Sequence, residues 1–310
     1  MDIKACVIIN AYYDKEEYLY QAKRLKEEFE KKGINCDILK NNFFPFIIEE
    51  KIKNKISDYD VYVYFDKDKY VLYSLEKCGK TLINGYNSIE ICDDKMLTYI
   101  TLAEHGIKIP KTLPGLLCYD KNEKVKALTI KNIISELGFP LIIKESFGSM
   151  GKGVYLINNE KELREKCEEV KIKPHLFQKY IECDNQDVRV IVVGGKVLGA
   201  INRKAVNDFR SNVGAGGQAE NYVLTEEVKT LAIKISEILN LDYCGIDLMK
   251  NGNGIYLCEV NSNAFFKAFE SVTKINVAEN LVELCIKKTL QKNKLKLFFG
   301  VYNRYNEIFK

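Results

Sequence analysis

The sequence predicts a mixed α/β and α+β architecture of three units, and three observations carry that prediction. Over the first part of the chain, short apolar runs alternate with helical periodicity in the order that builds a parallel sheet. Further on, hairpin signals and glycine turns replace that alternation. Finally, 310 residues are more than one core accommodates at roughly 150 residues per domain.

Ala5 to Ile9 is an apolar run that predicts a strand, and Leu19, Ala22, Leu25 and Phe29 share one face of a helix that Gly33 closes. Strands at Cys36 to Leu39, Val61 to Phe65 and Thr81 to Ile83, with a helix near Val71 to Lys77, complete a first unit over residues 1–90. The first strand runs into Ile9-Asn10-Ala11-Tyr12 where a dinucleotide fold needs G-x-G-x-x-G, so that role is disfavoured. In residues 91–182, Asp93-Asp94-Lys95-Met96-Leu97 starts a helix with acid in its first turn, stopped at His105-Gly106. A helix over Lys131 to Leu137 precedes Phe139 to Lys144, a strand ending in lysine, then the loop Gly148 to Gly153 and a return strand at Val154 to Ile157. Two strands joined by such a loop make a flap. A charged helix over Glu160 to Val170 and a strand at Leu176 to Tyr180 follow.

Residues 183–290 open with a hairpin, Asp187 to Val193 returning as Lys196 to Ala200 through Gly194-Gly195. A loop from Asn207 to Gln218 leads to a helix capped by Thr225, with Val228, Leu231, Ala232, Ile235 and Leu239 apolar. Cys244 to Lys250 and Ile255 to Asn261 form a second antiparallel pair. The tail, 291–310, is lysine-rich and then aromatic, and its state is left open.

Composition narrows the chemistry. Lys+Arg 47 against Asp+Glu 43 leaves a net charge of only +4, which gives no broad basic field for nucleic acid, so any anion site must be local. Two histidines exclude a three-imidazole metal centre and make histidine acid/base catalysis a poor starting point. Ten cysteines without C-x-x-C spacing read as reduced core thiols of a cytosolic protein. No apolar run approaches the ~18 residues that span a bilayer, so no membrane anchorage is expected.

Three constellations are able to carry chemistry. If Gly252 to Gly254 form a three-residue loop, Lys250 pairs with Tyr256 and Asp247 stands directly opposite Glu259, with Asn261 on the same face. Two carboxylates and an amide oxygen suit Mg²⁺ or Mn²⁺; the alternative is a solvated polar sheet face. Like charges directly opposite favour the cation, since without one they repel. Lys144 before Gly148 to Gly153 suits a phosphate flap or a plain hairpin loop; it is no Walker motif, because Lys152 precedes Gly153 instead of Ser or Thr. Arg203 with Phe209-Arg210-Ser211-Asn212, Gly214, Gly216 and Gly217, joined by Arg189, offers guanidinium forks and bare backbone donors to an anion, or else is solvated surface charge.

Taken in order, Asp94-Lys95, Phe139 to Lys144 with Gly148 to Gly153, Gln178-Lys179-Tyr180-Ile181, Asp187-Val188-Arg189, Phe209-Arg210-Ser211-Asn212 with Gly216-Gly217, Gly245-Ile246-Asp247 and Glu259-Val260-Asn261-Ser262 resemble the ATP-grasp superfamily. The match is best to its RimK-like α-L-glutamate ligases, a carboxylate–amine ligase family, and runs from about Asp93 to Lys288. The resemblance implies an ATP-grasp fold. Residues 1–90 would be the pre-grasp α/β domain, 91–182 the central lid subdomain with the flap, 183–290 the C-terminal catalytic subdomain with the metal site, and 291–310 a tail.

It also implies roles. Lys95 and Lys144 would meet the ATP phosphates beneath Gly148, Ser149, Gly151 and Gly153; Gln178 and the backbone of Lys179 and Tyr180 would meet the adenine edge; Asp187 would meet the ribose. Ser211 would bind the phosphate end beside catalytic Arg210 and Asn212, and Asp247, Glu259 and Asn261 would hold Mg²⁺ or Mn²⁺, with a pair of ions expected. Arg189, Arg203 and Lys267 are the candidate substrate contacts. The implied reaction joins a small-molecule, peptide or protein carboxylate to an amino-acid amine such as glutamate, through an acyl phosphate and with release of ADP. A small-molecule kinase on the same scaffold and a non-catalytic nucleotide-binding module are the alternatives, and a homo-oligomer is left open. One departure bears on substrate: where the family follows the metal asparagine with a small residue, proline and glycine, this chain reads Ser262-Asn263-Ala264-Phe265-Phe266-Lys267. That reshapes the wall beside the metals; at least one of the two phenylalanines is expected in the core.

Overall fold

A computed structural model of the chain describes residues 3–12, 14–149, 151–205 and 218–308, without the side chains of Glu17 and residues 296–308. The chain opens with β1 (Lys4–Ile9), α1 (Glu16–Lys31), β2 (Asn35–Lys40), the small hairpin β3 (Phe46–Ile48) and β4 (Ile52–Asn54), β5 (Val61–Phe65), α2 (Lys69–Lys77) and β6 (Thr81–Ile83). Four of these strands form a parallel sheet in the order β2-β1-β5-β6. β5 reads Val-Tyr-Val-Tyr-Phe and is buried at every position, as a parallel strand covered on both faces should be.

Two helices, α3 (Tyr86–Asp93) and α4 (Lys95–Leu102), lead to β7 (Thr112–Pro114), α5 (Ala127–Leu137), β8 (Leu141–Glu145), β9 (Val154–Ile157), α6 (Glu160–Val170) and β10 (His175–Lys179). Their sheet is antiparallel, order β7-β10-β8-β9. The period of two along β8 sends Leu141 and Ile143 into a core with Ile130, Ile133, Leu163 and Phe177, beneath α5 and α6. Ile142 and Lys144 therefore face the other way.

The third sheet joins β11 (Gln186–Val193), β12 (Lys196–Lys204), β13 (Gln218–Asn221), β14 (Tyr243–Asn251) and β15 (Gly254–Asn261) in the order β13-β12-β11-β14-β15, with α7 (Glu226–Ile238) inserted before β14. One face, with Val188, Val190, Ile246 and Leu257, packs on Val228, Ala232 and Ile235 of α7 and on Tyr99 and Leu102 of α4. The other face is apolar only at one end, where Ile191, Val193, Ile201 and Tyr243 meet α8 (Lys267–Thr273) and α9 (Val277–Ile308). That same core contains Val7, Leu25 and Phe29, so the first and third sheets share one apolar interior. α9 continues without a break beyond residue 290. Phe266 is wholly buried, edge-on to Tyr20 and Tyr243, whereas Phe265 is exposed against Tyr18. No described helix is long and apolar enough to cross a membrane.

A polar clamp fastens α1 to α8 and α9. Arg24 reaches Glu28, Asn276 and Glu270, and Asn276 and Lys31 also donate to Glu28. Burial would raise the Glu28 carboxyl, but the hydrogen bonds from Lys31, Asn276 and Arg24 lower it from 4.5 to about 2. Its stabilisation is therefore complete above the ordinary carboxylate range and is lost as the pH falls through about 2. Glu28→Gln is expected to lower Tm at neutral pH by about 2–4 °C, with the gap to wild type closing as the solution is acidified; coincident melting curves at pH 7 would count against the clamp.

Candidate active site

The polar end of the third sheet's inner face is built by register. Pairing of β11 with β14 puts Arg189 opposite Asp247, and pairing of β11 with β12 puts Asp187 opposite Arg203. Arg189 grips Asp247 with two hydrogen bonds, Nε–Oδ1 2.7 Å and Nη2–Oδ2 2.6 Å. Arg203 grips Asp187 likewise, at 2.6 Å twice, and its Nη2 also lies 2.9 Å from Asp247 Oδ2. Burial would raise the Asp247 carboxyl, but the two guanidiniums hold it below the usual range. Gly245 is required because a Cβ there would stand 2.5 Å from that of Ala264, on the turn after β15.

Asp247 does face Glu259, but by a route other than the expected one. The turn is tighter than the three-residue loop: Asn251 pairs with Gly254, Lys250 with Ile255 and Met249 with Tyr256. A β-bulge then leaves Cys258 without a cross-strand partner and brings Asp247 back opposite Glu259, with Asn261 opposite Gly245. Asn261 turns its Nδ2 toward Asp247 Oδ2 at 3.4 Å.

The second sheet covers this face. Asp94 caps α4 by accepting from the N–H groups of Met96 and Leu97, which fixes Lys95 at the helix start. Buried Lys95 sends its ammonium to the flap carbonyl of Gly148 at 3.0 Å and stands 3.8 Å from Glu259 Oε1. Burial lowers its pKa against the pull of Glu259. Buried Lys144 donates to Tyr99 Oη at 3.2 Å. The flap stem is closed by Glu145 N–H to Gly153 O, and Phe147 lies under the Lys69 ammonium at 5.2 Å.

Between the sheets runs one cleft. Lys95, Lys144, Gly148, Ser149, Gly151, Gln178, Lys179, Tyr180, Asp187, Asp247 and Glu259 all line it, so most of the residues singled out in the sequence are brought together. Lys179 spends its N–H on Lys111 O, and Gln178 donates to Thr112 Oγ1. Others do not reach the cleft. Gly153 belongs to the flap stem, where a Cβ would lie 2.9 Å from that of Glu145. Arg189 and Arg203 are committed to the carboxylates beneath, because register sets each directly opposite an aspartate. Lys267 opens α8, exposed, with its ammonium 5.5 Å from the Tyr20 ring. Arg210, Ser211 and Asn212 lie outside the described residues.

Sequence reasoning missed Tyr99, which accepts from Lys144 behind the cleft, and the apolar lining of Ile142, Val154 and Met249. Period-two alternation from Lys144 and Asp247 points to Ile142 and Met249; nothing local marks Tyr99. The cleft thus joins apolar side chains to polar ones, among them the buried ammonium groups of Lys95 and Lys144, which suits a planar base attached to a polyanion. Its donor set also suits a hard divalent cation. Glu259 presents its carboxylate, Asp247 Oδ1 keeps a lone pair beyond Arg189, and the Asn261 amide leaves Oδ1 free because its nitrogen faces Asp247.

A family model described as a RimK-like ATP-grasp domain matches residues 92–285. The chain is 37% identical over 216 residues to N-acetylaspartylglutamate synthase A of Homo sapiens, covering 68% of this chain and 54% of that protein. It is 34% identical over 237 residues to glutamate–LysW ligase ArgX of Sulfurisphaera tokodaii, covering 73% and 81%. The chain therefore spans about half the length of the first relative. D-alanine–D-alanine ligase from Bacillus anthracis complexed with ATP has a similar fold, with a TM-score of 0.73 at 19% identity over 95% of this chain and 99% of that one.

Removing one member of the buried ionic set leaves charge uncompensated. Arg203→Ala is expected to cost about 3–5 kcal/mol in urea unfolding. A loss below about 1 kcal/mol, the range of exposed pairs, would show that these charges are solvated.

Proposed function

The chain belongs to the RimK-like ATP-grasp family, and from that premise we propose that it is an ATP- and Mg²⁺-dependent ligase joining a carboxylate to the amine of an amino acid. The observation that carries the proposal is the convergence of Lys95, Lys144, Asp247 and Glu259 on one cleft that Ile142, Val154 and Met249 also line. In the reaction, a carboxylate oxygen attacks the γ-phosphorus of ATP and the bond to the β-phosphate oxygen breaks, releasing ADP. The amine nitrogen then attacks the acyl carbon, phosphate leaves, and the nitrogen loses a proton to give the amide.

Such phosphoryl transfer asks for in-line placement and charge neutralisation more than for acid/base groups, in keeping with a chain of two histidines. Lys95 and Lys144 hold the phosphates; Glu259, Asp247 and Asn261 would hold Mg²⁺ or Mn²⁺, which supplies further neutralisation of phosphate charge when bound. Ile142, Val154 and Met249 sandwich the base. The flap from Gly148 to Gly153 excludes water that would hydrolyse an acyl phosphate. Arg210, Ser211 and Asn212 are assigned to the transferred phosphate. The units are 1–90 before the grasp, 91–182 as lid, 183–290 as catalytic subdomain, and 291–310 as a tail whose residues through Ile308 continue α9. Glutamate is the first amine to test, since both relatives carry it in their names.

The test incubates the protein with ATP, Mg²⁺, glutamate and a panel of carboxylates, and reads amide mass increments against ADP. Equal amounts of amide and ADP are expected. Glu259→Gln should lower both by more than about 100-fold. A phosphorylated acid with ADP and no amide would instead identify a kinase.

A further inference from the structure

We infer that Tyr99 is a positioning residue for nucleotide binding: its hydroxyl ties Lys144 of the lid sheet to the bulge that aligns Glu259 with Asp247. This rests on the nucleotide reading of the cleft given above. Tyr99 is buried in the core between α4 and the third sheet, yet it carries a polar atom to a point where α4, β8 and β15 meet. Its hydroxyl donates to Cys258 O at 2.5 Å and accepts from Lys144 Nζ at 3.2 Å.

The direction of both bonds is forced. An ammonium only donates and a carbonyl only accepts, so the single phenolic proton goes to Cys258 and the oxygen lone pairs take Lys144. Each partner needs this. β15 is an edge strand, and Cys258 has no partner across the ladder; its carbonyl is met from outside by Tyr99, just as Leu257 N–H is met by Lys108 O. The bulge also makes up the residue by which the turn falls short, so it sets which side chain faces Asp247. Lys144, for its part, has one of three donors fixed by the phenol, leaving the others for the cleft that it lines. One oxygen thus aligns a phosphate-facing ammonium with a carboxylate of the candidate metal site.

The inference is tested by a double-mutant cycle on the full chain, reading the affinity for a non-hydrolysable ATP analogue with Mg²⁺ by calorimetry. Tyr99→Phe should weaken binding about tenfold and raise the Mg²⁺ concentration for half-saturation, while KM for the carboxylate and amine stays within about twofold. In a Lys144→Met background the same change should weaken binding by no more than about threefold, because the hydroxyl then has no ammonium to place and acts through the bulge alone. General loosening predicts the same loss in both backgrounds and would overturn the inference, as would an unchanged affinity in Tyr99→Phe. Should Tyr99→Phe not fold, site-specific 3-fluorotyrosine at position 99 keeps the hydroxyl and most of the volume; its fluorine resonance should shift on adding the analogue in the wild-type background and not in Lys144→Met. A resonance equally responsive in both would reject the role. A wild-type chain that binds no analogue refutes the nucleotide reading itself, whereas binding indifferent to Tyr99 refutes this inference alone.

Discussion

Asp187, Arg189, Arg203 and Asp247 stand on one sheet face with little access to water, and among the described residues each of the two carboxylates there is gripped by a guanidinium. Side-chain exposure is 4% for Arg203 and Asp247, 7% for Asp187 and 13% for Arg189. Two guanidiniums against two carboxylates leave no net charge, and the bidentate geometry satisfies most donors and acceptors. The rest of the site follows. Because Asp247 is held ionised by its neighbours, the neighbouring strand can present Glu259 to the cleft without a row of bare carboxylates at the centre of the sheet. Because the set is polar, α8 and α9 cover only the other end of this face, and a cleft is left where the lid sheet arches over the ions.

Much of this was legible in the sequence, for a physical reason: strand and helix periods are local. Lys144 at a strand end, the stripe Ala22, Leu25 and Phe29, and the start capped by Thr225 are set by residues a few positions apart; Asp93 and Asp94, expected in a first helical turn, instead end α3 and cap α4. The facing of Asp247 and Glu259 was legible too, although the turn counts one residue fewer than expected and the bulge at Cys258 one more, so the two differences cancel. What was hidden depends on distant pairing. The partner of Arg189 follows from the register of β11 against β14, a strand far along the chain, and that of Arg203 from a hairpin that runs on past Ala200 after a register shift at Ile191/Val192, so single arginines read as solvated until that register is known. Lys267 follows Asn261 closely, but α8 begins there and turns it outward. β7, β13 and α8 are too short to impose a period.

The distribution of apolar clusters separates two kinds of joint. The first and third sheets share one interior, from Val7 and Phe29 through Ile191 to Phe266 and Leu281, so parting them would expose a continuous core. The lid sheet has its own core under α5 and α6, and of its strand residues only Leu176 belongs to the cluster beneath the third sheet. Its remaining ties to the cleft are largely polar: Lys95 to the flap carbonyl of Gly148, Lys144 to Tyr99, and Phe147 beneath Lys69. Rotation of the second sheet with α5 and α6 would thus exchange a few hydrogen bonds for water and leave the apolar cores nearly intact, whereas rotation of the first sheet against the third would not. Lys95 and Lys144 make two of those ties and line the cleft as well. On the nucleotide reading proposed above, a polyanion entering there would compete for their donors directly, so occupancy of the cleft and the placement of the second sheet would be coupled through the same two ammonium groups.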